Sequence, residues 1–263
     1  MMKPLAELDA RRVRAVLLDI DETLTTSGKL TADAYAALER LHAAGKIVVP
    51  VTGRPAGWCD HIARMWPVDA VVGENGAFYF CYAEQKLHKR FLEDAATRAR
   101  QRERLEAIAK RILAEVPGSA LAADQPYRET DLAIDYCEDV APLPLSAAER
   151  IAALMREAGL KAKISSIHVN GWFGGYDKLA TSRLLFQERF RMDLDQSNRE
   201  IVFVGDSPND APMFAYFENS VGVANVRRFE GRLEAEPKFV TRAAAGAGFV
   251  EVVKSLLRSR AIY

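Results

Sequence analysis

The stretch LLDIDETLT (residues 17–25) sets two carboxylates, Asp19 and Asp21, two positions apart where an apolar run gives way to a loop. Like charges that close repel, and burying either is costly without a cation or a donor beside it. Taken alone, the pair fits a plain account in which one carboxylate caps a helix and the other is solvated. The rest of the chain decides. VRAVLLD reads as a buried strand, and TADAYAALERLHAAG as a helix capped by Thr31, striped by Tyr35, Leu38 and Leu41, and stopped at Gly45. KIVVPVTG, VDAVVG, REIVFVGD, SVGVAN and KFVT repeat the strand texture. RPAGWCDHIARMW, KLATSRLLFQERF, PNDAPMFAYF and GFVEVVKSLLRS supply further helices. Near-continuous Val/Ile/Leu strands separated by helices indicate an α/β fold whose parallel sheet is covered on both faces.

From Ala83 to Gly171 the texture changes: helices lengthen and strands alternate, as in half-covered sheets. Residues 95–116 are rich in Arg and Glu around a stripe of Leu105, Ile108, Ile112 and Leu113. We read them as a solvated helix with pairs such as Glu106–Lys110 rather than as an anion-binding surface. SAAERIAALMREAGL opens with a capping box, Ser146 to Glu149, and closes at Gly159. In DLAIDYC, Leu132, Ile134 and Tyr136 share one face and Asp131, Ala133 and Asp135 the other. In KISSIHVN, Ile167 and Val169 lie opposite Ser166, His168 and Asn170. The polar face looks either onto solvent or onto a site on another domain. These patterns divide the chain into a discontinuous core, residues 1–83 and 172–263, and a smaller inserted α/β domain, residues 84–171.

The 263 residues suffice for a large core, and Lys plus Arg and Asp plus Glu both total 36. Zero formal charge gives no support to a nucleic-acid or membrane-surface partner. Cys59, Cys81 and Cys137 form no ligand-spaced cluster. Their odd number, with no apolar leader at the N-terminus and no run of membrane-spanning length, points to thiols in a reducing cytoplasm. The sequence does not fix the oligomeric state.

In open parallel sheets ligands bind beyond the carboxyl ends of the strands. The polar residues expected there are Asp19 and Asp21, Thr52, and Asp206 with Asn209 and Asp210, while Lys178 opens the helix before the last of these strands. Each has a dull alternative: Thr52 as a helix cap, Lys178 as a snorkelling lysine, Asp206 and Asp210 as turn residues. Together they suit an anionic substrate held beside a hard, oxygen-ligated cation. His61, Trp58 and Cys59 are read as packing residues, and Trp172 and Phe173 as hinge packing or a border of the substrate site.

DIDETLT, VTGR, the lysine of YDKLAT, and GDSPND resemble, in order, the four motifs of the haloacid dehalogenase superfamily of phosphohydrolases. Too few residues separate Asp21 from the next helix to hold a domain there. The insert between VVGENGA and Lys178 resembles the Cof-like branch, which includes sucrose-phosphate and mannosyl-phosphoglycerate phosphatases. The resemblance implies a Rossmann-like core with a mobile cap, and Mg2+ bound by Asp19, the main-chain carbonyl of Asp21, and Asp206. It implies Asp19 as nucleophile and Asp21 as general acid and base. Thr52, the Gly53 amide, Lys178 and Asn209 would hold the phosphate, and Asp210 would orient Lys178 or a water on the cation. Glu22 stands where the first motif usually carries Gly, so the position cannot depend on a glycine-only conformation.

The expected activity is hydrolysis of a small phosphorylated metabolite, with a sugar phosphate as the class. Asp131, Asp135, His168 and Asn170 are the expected specificity residues. A phosphomutase shares these motifs and is the nearest rival. A non-enzymatic phospho-aspartate switch ranks lower, because it lacks a cap and must slow the hydrolysis that a second aspartate promotes.

Overall fold

The uninterrupted apolar runs become one parallel sheet and the alternating runs form separate antiparallel sheets, in a computed structural model that describes residues 2–165 and 167–258. In chain order the strands are β1 (Lys3–Pro4), β2 (Ala15–Leu18), β3 (Ile47–Pro50), β4 (Val71–Gly73), β5 (Phe78–Ala83), β6 (Lys86–Phe91), β7 (Ala120–Leu121), β8 (Asp131–Asp135), β9 (Lys161–Ile164), β10 (His168–Trp172), β11 (Ile201–Gly205), β12 (Asn219–Gly222) and β13 (Phe239–Val240). The helices are α1 (Ala32–Ala43), α2 (Ala56–Met65), α3 (Ala95–Glu115), α4 (Leu145–Glu157), α5 (Lys178–Leu185), α6 (Ala211–Tyr216) and α7 (Ala245–Arg258).

The core sheet runs β1–β13–β12–β11–β2–β3, with every pair parallel. Alternate residues of β2 serve opposite layers. Val16 and Leu18 pack with Leu38 and Leu41 of α1 and Phe249 and Val252 of α7, whereas Ala15 and Leu17 pack with Leu185 of α5 and Phe214 of α6. This two-sided burial is why the strands show no polar alternation. Leu18 pairs in register with Val204, so β2 and β11 end level and deliver Asp19 and Asp206 side by side. Beyond β3, β4 joins through a single parallel bridge, Val51–Val72, then turns back into the antiparallel ladder β4–β5–β6. The expected division at residue 84 falls in the turn of this hairpin, where Glu84 and Gln85 take φ of +52° and +60°.

The inserted cap is the antiparallel sheet β7–β8–β10–β9 backed by α3 and α4. Leu132, Ile134 and Val169 pack on Leu105, Ile112, Ile151 and Met155, which fills the apolar face. Two local expectations are corrected. Helix α4 starts two residues early, with Pro144 at its N-cap and no side-chain cap, so Ser146 lies inside the helix and the capping box does not form. On α3, ion pairs join Arg111 to Glu115 and Glu157; Glu106–Lys110 is not among the pairs of the described residues. Ser166 lies outside the described residues.

Gly76, at the turn after β4, has φ +106°, and a Cβ there would sit 2.2 Å from the Asp177 carbonyl and 2.8 Å from the amide of Lys178. The start of α5 therefore rests directly on glycine backbone. Gly76→Ala is expected to cost about 2–4 kcal/mol of stability in denaturant unfolding and to lower turnover through displacement of Lys178. A variant within experimental error of the parent on both measures would show that this seat is soft.

Candidate active site

Asp19 leaves β2 with its amide bonded to the Val204 carbonyl (2.9 Å), and its carboxylate meets the Lys178 ammonium at 2.8 Å. Lys178 is the first residue of α5 and also reaches Asp210 at 2.9 Å. The second oxygen of Asp210 accepts the Asp206 amide at 3.1 Å, so both its oxygens are engaged by protein donors. Asp206 accepts from the Thr23 hydroxyl at 3.3 Å and from the Asn225 side chain at 2.9 Å. Asp19, Asp206, Asp210 and Lys178, far apart in sequence, are all buried at one sheet edge.

The charges there do not balance. Asp19, Asp206 and Asp210 offer carboxylate oxygens within 4.8 Å of one another and face one ammonium. Burial, then the neighbouring Asp210 and Asp21, raises Asp19 to about 7 against the pull of Lys178. Burial, with Asp210 and Asp19 beside it, raises Asp206 to about 8. Burial would lower Lys178, but Asp19 and Asp210 hold it above the ordinary lysine value. A divalent cation fits this donor set: hard oxygen ligands with a surplus of negative charge.

The other expected residues are placed unequally. Thr52 is fully buried at the end of β3, and its hydroxyl oxygen accepts the Arg54 amide at 3.0 Å. Gly53 borders the cavity. Asn209 borders it too, with its side-chain oxygen taken by Ser207 at 2.6 Å. Both oxygens of Asp21 are gripped by Arg54 at 2.7–3.1 Å. Glu22 takes φ +54°, inside the small left-handed region that non-glycine residues reach at a cost of about 1–2 kcal/mol. Its amide donates to Thr25, and its carbonyl accepts from Asn225.

A cavity of about 350 Å³ separates this edge from the cap, and His168 and Asn170 line it. Asp131 and Asp135 do not lie along it. Asp131 is spent on Arg128 at 3.0 Å and on the Asn170 amide at 3.1 Å. Asp135 accepts three consecutive amides, from Cys137, Glu138 and Asp139, closing the turn after β8. His168 is 3 % exposed and lies 2.8 Å from Glu138; burial lowers its pKa. Lys163 of β9 also lines the cavity and reaches the Asn209 carbonyl at 3.2 Å; burial, then Lys178, lowers it. Of the residues read as packing, Cys59 is buried, but Trp58 is 43 % exposed under the Arg54 guanidinium and His61 is exposed.

Sequence reading missed Arg54, Asn75, Arg128, Lys163 and Asn225. Asn75 and Asn225 follow β4 and β12, so the strand-end rule applied to every strand would have collected them.

Negative charge gathered at strand ends under an inserted roof suits a hydrolase that handles an anion beside a cation, with a parallel α/β core and an inserted cap. Residues 13–217 match the model of the haloacid dehalogenase-like hydrolases, and the chain belongs to that family. It is 28% identical to the phosphoglycolate phosphatase of Pyrobaculum neutrophilum over 93% of this chain and 96% of that one. Among solved structures it resembles Thermoplasma acidophilum 0175 (TM-score 0.70, 19% identity, 93% of this chain and 98% of that one). It also resembles the sucrose-phosphatase of Synechocystis sp. in complex with sucrose and phosphate (TM-score 0.64, 15% identity, 94% and 98%). The fold of core and α/β cap is shared with that sucrose-phosphatase over nearly the whole of both chains.

Carboxyls raised by folding bind protons more tightly in the folded than in the unfolded chain. In chelator, the contribution of these two carboxyls to stability is therefore fully present below the ordinary value of 3.8 and is lost as pH rises through about 7 and 8 at Asp19 and Asp206. Mg2+ would take the place of those protons. Its stabilising effect on thermal unfolding is expected to grow from about pH 5.5 to about pH 8 and to shrink in Asp206→Asn. A magnesium shift independent of pH would remove these carboxylates from the cation site.

Proposed function

We propose that the chain is a Mg2+-dependent phosphatase that releases phosphate from a small phosphorylated metabolite through an aspartyl-phosphate on Asp19. The observation that carries this reading is the Asp19 carboxylate, buried, held by Lys178, and still bordering the cavity. Asp19, Asp206 and the Asp21 main-chain carbonyl would hold Mg2+, with Asp210 engaged by Lys178 and the Asp206 amide instead. When bound, the cation neutralises charge on the phosphoryl oxygens. An Asp19 oxygen forms the bond to phosphorus as the bond to the leaving oxygen breaks, and Asp21 delivers the proton to that oxygen. Asp21 then takes a proton from the attacking water, and the Asp19–phosphorus linkage breaks. Lys178, the Thr52 hydroxyl and the Gly53 amide stabilise charge spread over the phosphoryl oxygens, with Asn209 beside them.

A sugar phosphate fits the size of the cavity and the donors of His168 and Asn170. A second reading, a short phosphorylated acid, is favoured by the cations along the wall, Lys163 and Arg228, and by the likeness to a phosphoglycolate phosphatase. No helix among the described residues is long and apolar enough to cross a membrane, and we assign the protein to the cytoplasm, whose reducing conditions suit buried thiols such as Cys59 and Cys81.

Phosphate release from a panel of sugar phosphates, phosphorylated acids and p-nitrophenyl phosphate tests the reading. Activity is expected to require Mg2+ and to vanish in Asp19→Asn, while isomer formation without phosphate release would favour a mutase. His168→Ala or Asn170→Ala is expected to lower kcat/KM about tenfold or more for the best substrate, with a smaller loss on the aryl ester. Equal losses on both would assign these side chains to folding or cap closure.

Asp21→Asn separates the two half-reactions. Removing acid–base help costs about a hundred- to ten-thousand-fold. Because p-nitrophenol leaves with little assistance, the expected trace is a burst of about one nitrophenol per site, then slow turnover with phosphate held on Asp19. Simultaneous release of nitrophenol and phosphate, without an adduct in rapid-quench mass spectrometry, would exclude Asp21 as the base.

A further inference from the structure

The densest buried charge beyond the reacting groups lies where the cap meets the loop between β3 and α2. Arg128, just before β8, has a side chain 2 % exposed. It donates to the Gly53 carbonyl at 3.1 Å, to both oxygens of Asp124 at 2.9 Å, and to Asp131 at 3.0 Å. Asp124 lies 3.9 Å from Arg54, which grips Asp21 from its other side and stacks over Trp58 at 4.4 Å. A second contact mirrors the first from the core. Glu74, fully buried after β4, accepts the amides of Glu129 and Thr130 at 2.9 and 2.7 Å, the Thr130 hydroxyl, and the Ala56 amide at 2.9 Å. Both contacts land on residues 53–56, which carry Arg54.

Apolar packing would seat a cap without the desolvation cost of buried ions. Ionic contacts fix direction as well as distance, because each hydrogen bond constrains angle. We propose that the cap segment 124–131 is a positioning element for the chemistry: Arg128 and Asp124 fix the Gly53 carbonyl and the Arg54 guanidinium, and Arg54 fixes the Asp21 carboxylate. The proposal rests on the phosphatase reading with Asp21 as proton carrier. Arg54, Asp124 and Arg128 are positioning residues, acting through Asp21 and the Gly53 loop. Asp124 and Arg128 of the cap govern turnover of every substrate, including one too small to touch the cap, whereas His168 and Asn170 act through contact with the substrate body.

The test uses Asp124→Asn and Arg128→Lys, with p-nitrophenyl phosphate and an alkyl phosphate at saturating Mg2+. Asp124→Asn is expected to lower kcat about tenfold on the alkyl ester, whose oxygen needs the proton, and less on the aryl ester, with KM within about threefold. Arg128→Lys, which keeps the charge, is expected to fall between parent and Asp124→Asn. In the double variant Asp124→Asn/Arg54→Lys the losses are expected to be less than multiplicative. Emission from Trp58, isolated by subtracting a Trp58→Phe control, is expected to shift in Asp124→Asn because Arg54 moves on its ring. Folded variants with parental kcat on both esters and unshifted Trp58 emission overturn the proposal, as does a loss confined to KM. If the parent releases no phosphate from any ester, the phosphatase reading fails by that observation, and the Trp58 shift still decides whether the cap holds Arg54.

Discussion

A single ammonium stands between two carboxylates, and the rest of the site is arranged around it. Lys178 meets Asp19 and Asp210 at 2.8 and 2.9 Å, with all three side chains buried. Without it, the level ends of β2 and β11 would bring Asp19 and Asp206 together with no counter-charge from the protein. Buried like charges in contact favour protonation or unfolding. The lysine must therefore be aimed accurately, and it comes from the start of α5, just after the cap returns to the core. Its seat is glycine backbone: no side chain fits between Gly76 and Asp177.

The cap divides its polar residues between two kinds of work. His168, Asn170 and Lys163 border the cavity, where, on the proposed reading, contacts with a substrate body would set selectivity. Arg128, Asp131 and Asp135 are consumed by partners inside the protein, as a low-dielectric setting demands of any buried charge. An arginine balanced by two aspartates is a stiff object, and it stands against the loop that holds Gly53.

The fold was legible because both signals behind it are local. Strands buried on two faces must be apolar throughout, and helices carry caps and stops, as Thr31 and Gly45 do. The strand-end rule found the acidic residues for the same reason: β2 and β11 must end somewhere polar. What alternation could not say was what lies opposite a face. The polar sides of β8 and β10 read correctly as one set, yet Asp135 is used by the three amides that follow it. A turn of that kind is itself a sequence signal, since aspartate commonly accepts from amides just downstream. Ser146 and Glu149 had the spacing of a capping box, but Pro144 takes the N-cap and the helix begins two residues early. Arg54 and Asn225 matter only through distant residues, Asp21 and Glu22 among them, and no local pattern announces such contacts. Glu22 shows the opposite lesson. A residue type can hide a conformation, because a glutamate occupies the left-handed backbone that glycine would adopt freely.

The seam between cap and core is made largely of main chain. Arg128 crosses it to a carbonyl, and two of the three cap groups that Glu74 accepts are amides, those of Glu129 and Thr130. Such a joint recognises the course of the backbone at positions 53 and 129 rather than the side chains there. The cavity wall can therefore change while the joint persists, provided Arg128, Asp124 and Glu74 are kept. In evolutionary terms the cap is an exchangeable part with a fixed fitting.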